Sequence, residues 1–193
     1  MSIVTAILAG GAGLRIGGAK PERQLAGTRL VTHALNAAHG WGAPTVLVLR
    51  DPKQVSEVHD PVILDDPGIP GPLGGLASAL AWAAVNGADR VLTIPCDMPF
   101  LPADLRVRLD QALTRDAGVA VTASDGRLHP VCALWCTSAL PVLVHRANRG
   151  QLSLNGLSEA VGRVVVDWPI DERDPFLNIN TLDDLALAEG LAV

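Results

Sequence analysis

Short runs of β-branched and aliphatic residues alternate along the chain with longer segments rich in alanine and leucine. IVTAIL (3–8), TVLVL (45–49), PVIL (61–64) and RVLTI (90–94) read as strands. The runs near the start are apolar throughout rather than alternating, as expected of strands buried on both faces. Between them, residues 29–40, 74–87 and 102–115 read as helices, the second ending on Gly87 and the third opened by Pro102. Further strands are predicted at GVAVTA (118–123), PVCALW (130–135) and GRVVVDW (162–168), with a closing helix over 182–190. Thr181 with Asp184 reads as the box that starts that helix. Strand–helix alternation of this kind predicts an α/β fold, a mostly parallel Rossmann-like sheet with helices on both faces. Residues 124–180 depart from simple alternation and read as a candidate inserted subdomain.

Length and composition narrow the picture. A chain of 193 residues without internal repeat or linker is expected to form one domain. With 49% apolar and 18% charged residues it has ample material for a core and is not disordered. A net charge of −5 argues against a general binder of nucleic acid or membrane surfaces. The cations are unevenly spread, however. Arg15, Lys20, Arg23 and Arg29 cluster with Glu22 as the only acid among them, which suggests a small anionic ligand. Cys96, Cys132 and Cys136 are odd in number and lack a CxxC pair, so they read as reduced, buried small hydrophobes rather than a disulfide framework or zinc site. MSIVTAILAG has no basic leader region, and no apolar run reaches the ~18 residues of a membrane span. A cytoplasmic protein is expected.

The basic cluster lies in LAGGAGLRIGGAKPERQLAG (8–27), directly after the first strand. Gly13 and Gly18 have the separation of a nucleotide P-loop, but Ala19 stands in the lysine's place and Pro21, not Ser or Thr, follows Lys20. Gly11 and Gly13 begin a dinucleotide fingerprint, but Ile16 replaces its third glycine and the second strand ends too late. A plain surface loop is disfavoured because the stretch leaves the C-terminal end of a buried strand, where open α/β sheets bind ligands.

The arrangement LAGG-x3-R-x-GG-x-K resembles the signature of nucleotidyltransferases with the nucleotide-diphospho-sugar-transferase fold. Within them it is most similar to the molybdenum cofactor guanylyltransferase family, through Leu8, Ala9, Gly10, Gly11, Arg15, Gly17, Gly18 and Lys20. Glycines let backbone N–H groups approach phosphate oxygens, an arginine forks two of them, and a lysine adds a mobile point charge.

Three further stretches follow in the order that this resemblance leads one to expect. In ILDDPGIPGPLGG (63–75) it implies an acid that contacts the nucleotide under a Gly-Pro-Leu-Gly-Gly loop; Asp66 is the match and Asp65 the fallback. In LTIPCDMPFLP (92–102) it implies that Asp97 holds Mg²⁺, an ion that takes one or two carboxylates and keeps several waters. In LHPVCALW (128–135) and FLNINTLDDL (176–185) it implies the pocket of a second substrate, with His129, Asn178 and Asn180 as candidates. The chain departs from the family pattern at three places, the slightest being Leu182 where a proline is common. Ala19 precedes Lys20 where Asp is usual, in a loop one residue short, leaving Arg23 to assist; and Leu49-Arg50 stand where an Asn often follows the second strand.

The resemblance implies transfer of GMP from GTP to molybdopterin-bound molybdenum cofactor, giving the guanine dinucleotide cofactor and pyrophosphate. Residues 1–123 would form the nucleotide half and 124–180 the second-substrate region. Backbone groups of Leu8, Ala9, Gly10 and Gly11 would hold the nucleoside, while Arg15 and Lys20 stabilise the leaving pyrophosphate and Asp97 holds Mg²⁺. Transient contact with molybdoenzymes or cofactor-delivery proteins would follow. Two alternatives stand beside it: a cytidylyl- or sugar-phosphate nucleotidyltransferase of the same fold, and a non-enzymatic module that binds nucleotide or cofactor.

Overall fold

The structure, a computed structural model, describes residues 2–11, 13 and 16–192. In chain order the elements are β1 (Ile3–Leu8), β2 (Gln24–Leu25), β3 (Thr28–Arg29), α1 (Leu30–Gly40), β4 (Thr45–Leu49), β5 (Val62–Leu64), α2 (Pro72–Val85) and β6 (Arg90–Pro95). They continue with α3 (Leu105–Ala112), β7 (Val119–Ser124), β8 (Arg127–Cys136), α4 (Leu140–Asn148), α5 (Leu154–Ala160), β9 (Arg163–Trp168) and α6 (Leu182–Leu191).

Seven strands form one sheet in the order β5-β4-β1-β6-β8-β7-β9, and β2 and β3 make a separate small hairpin. Four of the six pairings in the large sheet are parallel; only β8 runs against both of its neighbours. The expected mostly parallel α/β sheet is therefore present. Residues 124–180 are not set apart as a subdomain: β8 lies inside the sheet between β6 and β7, and β9 forms its edge.

The all-apolar strands are explained by their two-sided burial. Ile3 and Ile7 of β1 face a core shared with Val31 and Leu35 of α1 and Leu105 and Leu109 of α3. Val4 and Ala6 face the opposite core, with Leu76 and Leu80 of α2, Leu143 of α4 and Leu157 of α5. A third, smaller cluster joins Ile16 and Leu25 to Leu30, Ile179 and Ala188, so the lysine-bearing loop is packed against the C-terminal segment. The backbone N–H of Ala26 donates to Glu189 Oε1 at 3.0 Å across the same contact. Thr181 and Asp184 form the expected capping box at the start of α6, each side chain accepting from the other's backbone N–H. Among the described residues no helix is long and apolar enough to cross a membrane.

The strand order places the ligand site. From β1 the chain steps outward through β4 to β5, then returns to the other side of β1 as β6. The carboxyl ends of β1 and β6 thus flank the point where the order reverses, the crevice where open α/β sheets bind ligands. Leu8 and Pro95, the last residues of the two strands, are register partners. A bulge in β8 breaks the pairing between Ala133 and His129, where Pro130 has no N–H to give to a ladder.

Candidate active site

The chain leaves β1 through Leu8, Ala9, Gly10 and Gly11, with the N–H of Ala9 still bonded to Val48 O at 2.9 Å. Gly10 is required by what lies beside it. A Cβ there would stand 2.5 Å from Asp65 Oδ2 and 3.1 Å from the backbone nitrogen of Arg50. Gln54 braces this turn from the loop after β4. Its Nε2 donates to Gly10 O at 3.3 Å and Gly11 O at 3.4 Å, and its Oε1 accepts from the N–H groups of Arg50 and Asp51. The signal for this residue is present in the sequence: Asp51 and Gln54 form a capping box around a short turn opened by Pro52.

Further along the loop, Gly13 O accepts from the N–H groups of both Ile16 and Gly18. Ala19 takes a left-handed conformation, φ 45° and ψ 40°, a strained position for a residue with a Cβ, and Pro21 stiffens the one-turn helix that follows. This is how the short Gly18-Ala19-Lys20 step delivers its lysine. Arg23 does not assist Lys20 here; its guanidinium closes the loop by donating to the carbonyls of Gly17 and Gly18. Arg15, a predicted catalytic residue, lies outside the described residues.

Lys20 Nζ reaches Asp97 Oδ2 at 2.5 Å and Asn180 Oδ1 at 2.9 Å. Asp97 follows β6 directly, and its carbonyl accepts from Ile179 N–H at 2.9 Å, which ties the Asn-x-Asn segment to the strand end. The lysine and aspartate side chains retain only 12% and 15% of their exposure, so the pair is largely desolvated. Among the described residues, Asp97 Oδ1 is buried without a hydrogen-bond partner. A hard, anionic oxygen with an unused lone pair suits Mg²⁺. Among the described residues no cluster of three metal-ligating side chains occurs, so such an ion would share one protein carboxylate with phosphate oxygens and water.

Gly10, Gly11, Arg50, Asp65 and Asp97 face a common cleft of about 280 Å³, closed on one side by Gly71, Pro72 and Gly75 at the start of α2. Of the two adjacent acids, Asp65 is the one that lines it. Asp66 is occupied locally: its Oδ1 accepts from Gly68 N–H at 2.8 Å in the turn that begins the Gly/Pro loop. Asp65, the fallback, thus lines this cleft, and Asp66 lines only an adjoining one. Asp65 N–H extends the pairing of β5 with β4 by bonding to Leu49 O, which aims its side chain back under Gly10 and Gly75. Burial raises the Asp65 pKa, and the nearby Arg50 guanidinium opposes that rise.

The second-substrate candidates separate. His129 is a core residue, only 3% exposed. Its Nε2 pairs with Ser124 Oγ at 2.8 Å, and its ring stacks on Phe176 at 5.0 Å. Burial lowers its pKa, which favours the neutral imidazole. Its place in β8, with the side chain turned inward, removes it from open contact with a substrate. Asn178 is half-buried and has no side-chain hydrogen bond among the described residues. Asn180 joins the Lys20–Asp97 pair, a link that no sequence spacing indicates. The extended stretch carrying both asparagines is not a strand. Cys96 and Cys132 are buried, as expected, and burial pushes their thiols up to about 12, while Cys136 is half-buried.

Comparison with known proteins agrees with this layout. Residues 5–164 match the family model of the MobA-like NTP transferase domain. The chain is 39% identical to a molybdenum cofactor guanylyltransferase of Rhodopseudomonas palustris, covering 97% of this chain and 92% of that protein. It is 38% identical to another from Acidiphilium cryptum, over 95% and 92% of the two chains. The solved structure of molybdopterin-guanine dinucleotide biosynthesis protein A from Archaeoglobus fulgidus superposes with a TM-score of 0.79, at 26% identity and 98% coverage of both chains. The lysine loop, the aspartate after β6 and the Gly/Pro loop before α2 all fall within the matched region. The chain belongs to the MobA-like NTP transferase family.

Proposed function

We propose that the chain transfers GMP from GTP to the phosphate of molybdopterin-bound molybdenum cofactor, giving the guanine dinucleotide cofactor and pyrophosphate. The observation that carries this reading is the convergence of Lys20, Asp97 and Asn180 at the carboxyl ends of β1 and β6, beside a cleft walled by the glycine turn and Asp65. The names of the relatives and their near-complete coverage support the choice of nucleotide and acceptor.

Transfer at a phosphorus atom asks little covalent work of a protein; positioning and charge neutralisation carry it. The glycine turn after β1 presents backbone to the nucleoside, with Asp65 accepting from its donors. Lys20 neutralises charge that builds on the leaving pyrophosphate, and Asn180 fixes where its ammonium sits. Arg15 is the second cation proposed for that task. Asp97 is the proposed Mg²⁺ ligand, through the oxygen that has no partner among the described residues. Mg²⁺, when bound, polarises phosphate oxygens and offsets their charge. The attacking phosphate is already anionic and needs no strong base, which accords with a histidine, His129, held neutral in the core.

Thermal-shift titration with GTP, CTP, UTP and ATP in the presence of Mg²⁺ tests the reading. A ligand at 100 times its Kd adds ~2.7 kcal/mol of stability, so the largest shift is expected with GTP. A larger shift with CTP or UTP would instead assign the chain to a different nucleotidyl transfer.

A further inference from the structure

We propose that Asp184 is a positioning residue for the transfer: by holding the backbone of Asn180, its carboxylate sets where the Lys20 ammonium sits. This rests on the reading in which Lys20 neutralises charge on the leaving pyrophosphate.

A capping box asks one bond of the carboxylate at its fourth residue, from the backbone N–H of the cap. Asp184 Oδ2 accepts that bond, from Thr181 N–H at 2.9 Å, and the same oxygen also accepts from Asn180 N–H at 2.9 Å. Asn180 precedes the cap, so the start of α6 has no need of this second bond. What Asn180 carries is the amide oxygen that accepts from Lys20 Nζ at 2.9 Å. The neighbouring N–H, of Ile179, is taken by Asp97 O at 2.9 Å, and the Ile179 side chain is buried with Ile16, Leu25, Leu30 and Ala188. The chain is thus fixed on both sides of the Asn180 α-carbon, and only two side-chain torsions remain to place its oxygen.

A lysine stem is flexible, and its ammonium can turn about a single partner. Asp97 is one partner and Asn180 the second, so the position of Lys20 Nζ depends on how firmly Asn180 is held. The other end of α6 meets the same segment: Glu189 Oε1 accepts from Ala26 N–H at 3.0 Å, in the hairpin that follows the lysine turn. The Asp184 carboxyl lies below its ordinary pKa, chiefly through the Asn180 N–H bond, with Thr181 and the charge of Lys20 adding to that effect against partial burial. The acceptor is therefore anionic at neutral pH, which strengthens both bonds.

Steady-state kinetics of the full chain with GTP, Mg²⁺ and the molybdenum cofactor, with Tm measured on the same variants, test the proposal. Asp184→Ala should lower kcat by about three- to tenfold, no more than Asn180→Ala does, at unchanged KM for the molybdenum cofactor. In the Asn180→Ala background the same substitution should change kcat by less than about twofold, because no amide is left to place. Thr181→Ala removes the bond from Asp184 N–H at 3.1 Å but keeps the carboxylate. It should lower Tm as Asp184→Ala does and leave kcat within about twofold of wild type. Asp184→Asn retains an oxygen for both N–H groups and should regain most of the lost rate. A lower Tm with unchanged kcat in Asp184→Ala, additive losses in the double variant, or an Asp184→Asn as slow as Asp184→Ala would overturn the proposal while leaving guanylyl transfer intact. Wild-type kcat in Asn180→Ala would overturn it together with the anchoring of Lys20.

Discussion

The ammonium nitrogen of Lys20 lies 2.5 Å from Oδ2 of Asp97, a residue 77 positions further along the chain, while the other oxygen of that carboxylate is buried and has no hydrogen-bond partner among the described residues. The contact exists because β1 and β6 are neighbours in the sheet although four strands of the sequence and two long helices separate them. Each residue follows its strand into the same crevice. One carboxylate oxygen is neutralised by the lysine, and the other is the one proposed to hold Mg²⁺.

Asp97→Ala should lower the rate of pyrophosphate release by ~10²–10³, the usual cost of removing one preorganised charge contact. Asp97→Asn, which preserves volume and the hydrogen bond from Lys20, should be almost as impaired because a neutral amide is a poor Mg²⁺ ligand. Retention of more than about a tenth of the activity by either variant would remove Asp97 from the metal site.

Asn180→Ala removes one of the two anchors of Lys20. The expected outcome is a fall in kcat of about tenfold, the worth of one hydrogen bond to a charged group, with little change in the KM for the molybdenum cofactor. A raised KM for that cofactor at unchanged kcat would show Asn180 to be a substrate contact instead.

Gly10→Ala drives a methyl group against Asp65 Oδ2 and toward the Arg50 backbone, whereas a Cβ on Gly11 meets nothing within 4 Å. The Asp65 carboxylate must move, so GTP affinity is expected to fall by about tenfold or more. Gly11→Ala should perturb the fold far less. Calorimetric titration of both variants with GTP compares the two directly.

His129 titrates below its ordinary value because it is buried. The unfolded chain then takes up a proton first, near pH ~6.5, and stability falls as pH drops from there toward the folded pKa. The slope should reach at most ~1.4 kcal/mol per pH unit. His129→Gln should flatten the dependence of Tm on pH between about 7 and 5. An unchanged slope would mean that the imidazole is protonated in the folded protein.

Sequence reading recovers what local pattern encodes. The apolar runs at β1, β4 and β6 show two-sided burial, and Thr181 with Asp184 marks the start of α6, because each signal lies within a few residues. Pairing across the sheet has no such local signature. The antiparallel insertion of β8 and the bulge at Pro130 follow from how distant strands meet, and they determine that His129 faces the core. Helices α4 and α5 are short and separated by Gly150, so neither produces a long periodic stretch. Asp65 and Asp66 are indistinguishable as letters; only the final hydrogen bond of β5 to β4 decides which one faces the cleft. Asn180 meets Lys20 across 160 positions, through contacts that pack the C-terminal segment against the loop. Lys20 and Asp97 were legible because glycines and prolines announce their loops on either side.

Guanylyl transfer itself is tested most directly by incubating the full chain with Mg²⁺, molybdopterin-bound molybdenum cofactor and each of GTP, CTP, UTP and ATP in turn, and measuring pyrophosphate together with the dinucleotide product. Stoichiometric pyrophosphate and guanine dinucleotide cofactor are expected with GTP, and neither in the absence of Mg²⁺. Binding of GTP with no pyrophosphate released, or faster transfer from CTP, would contradict it.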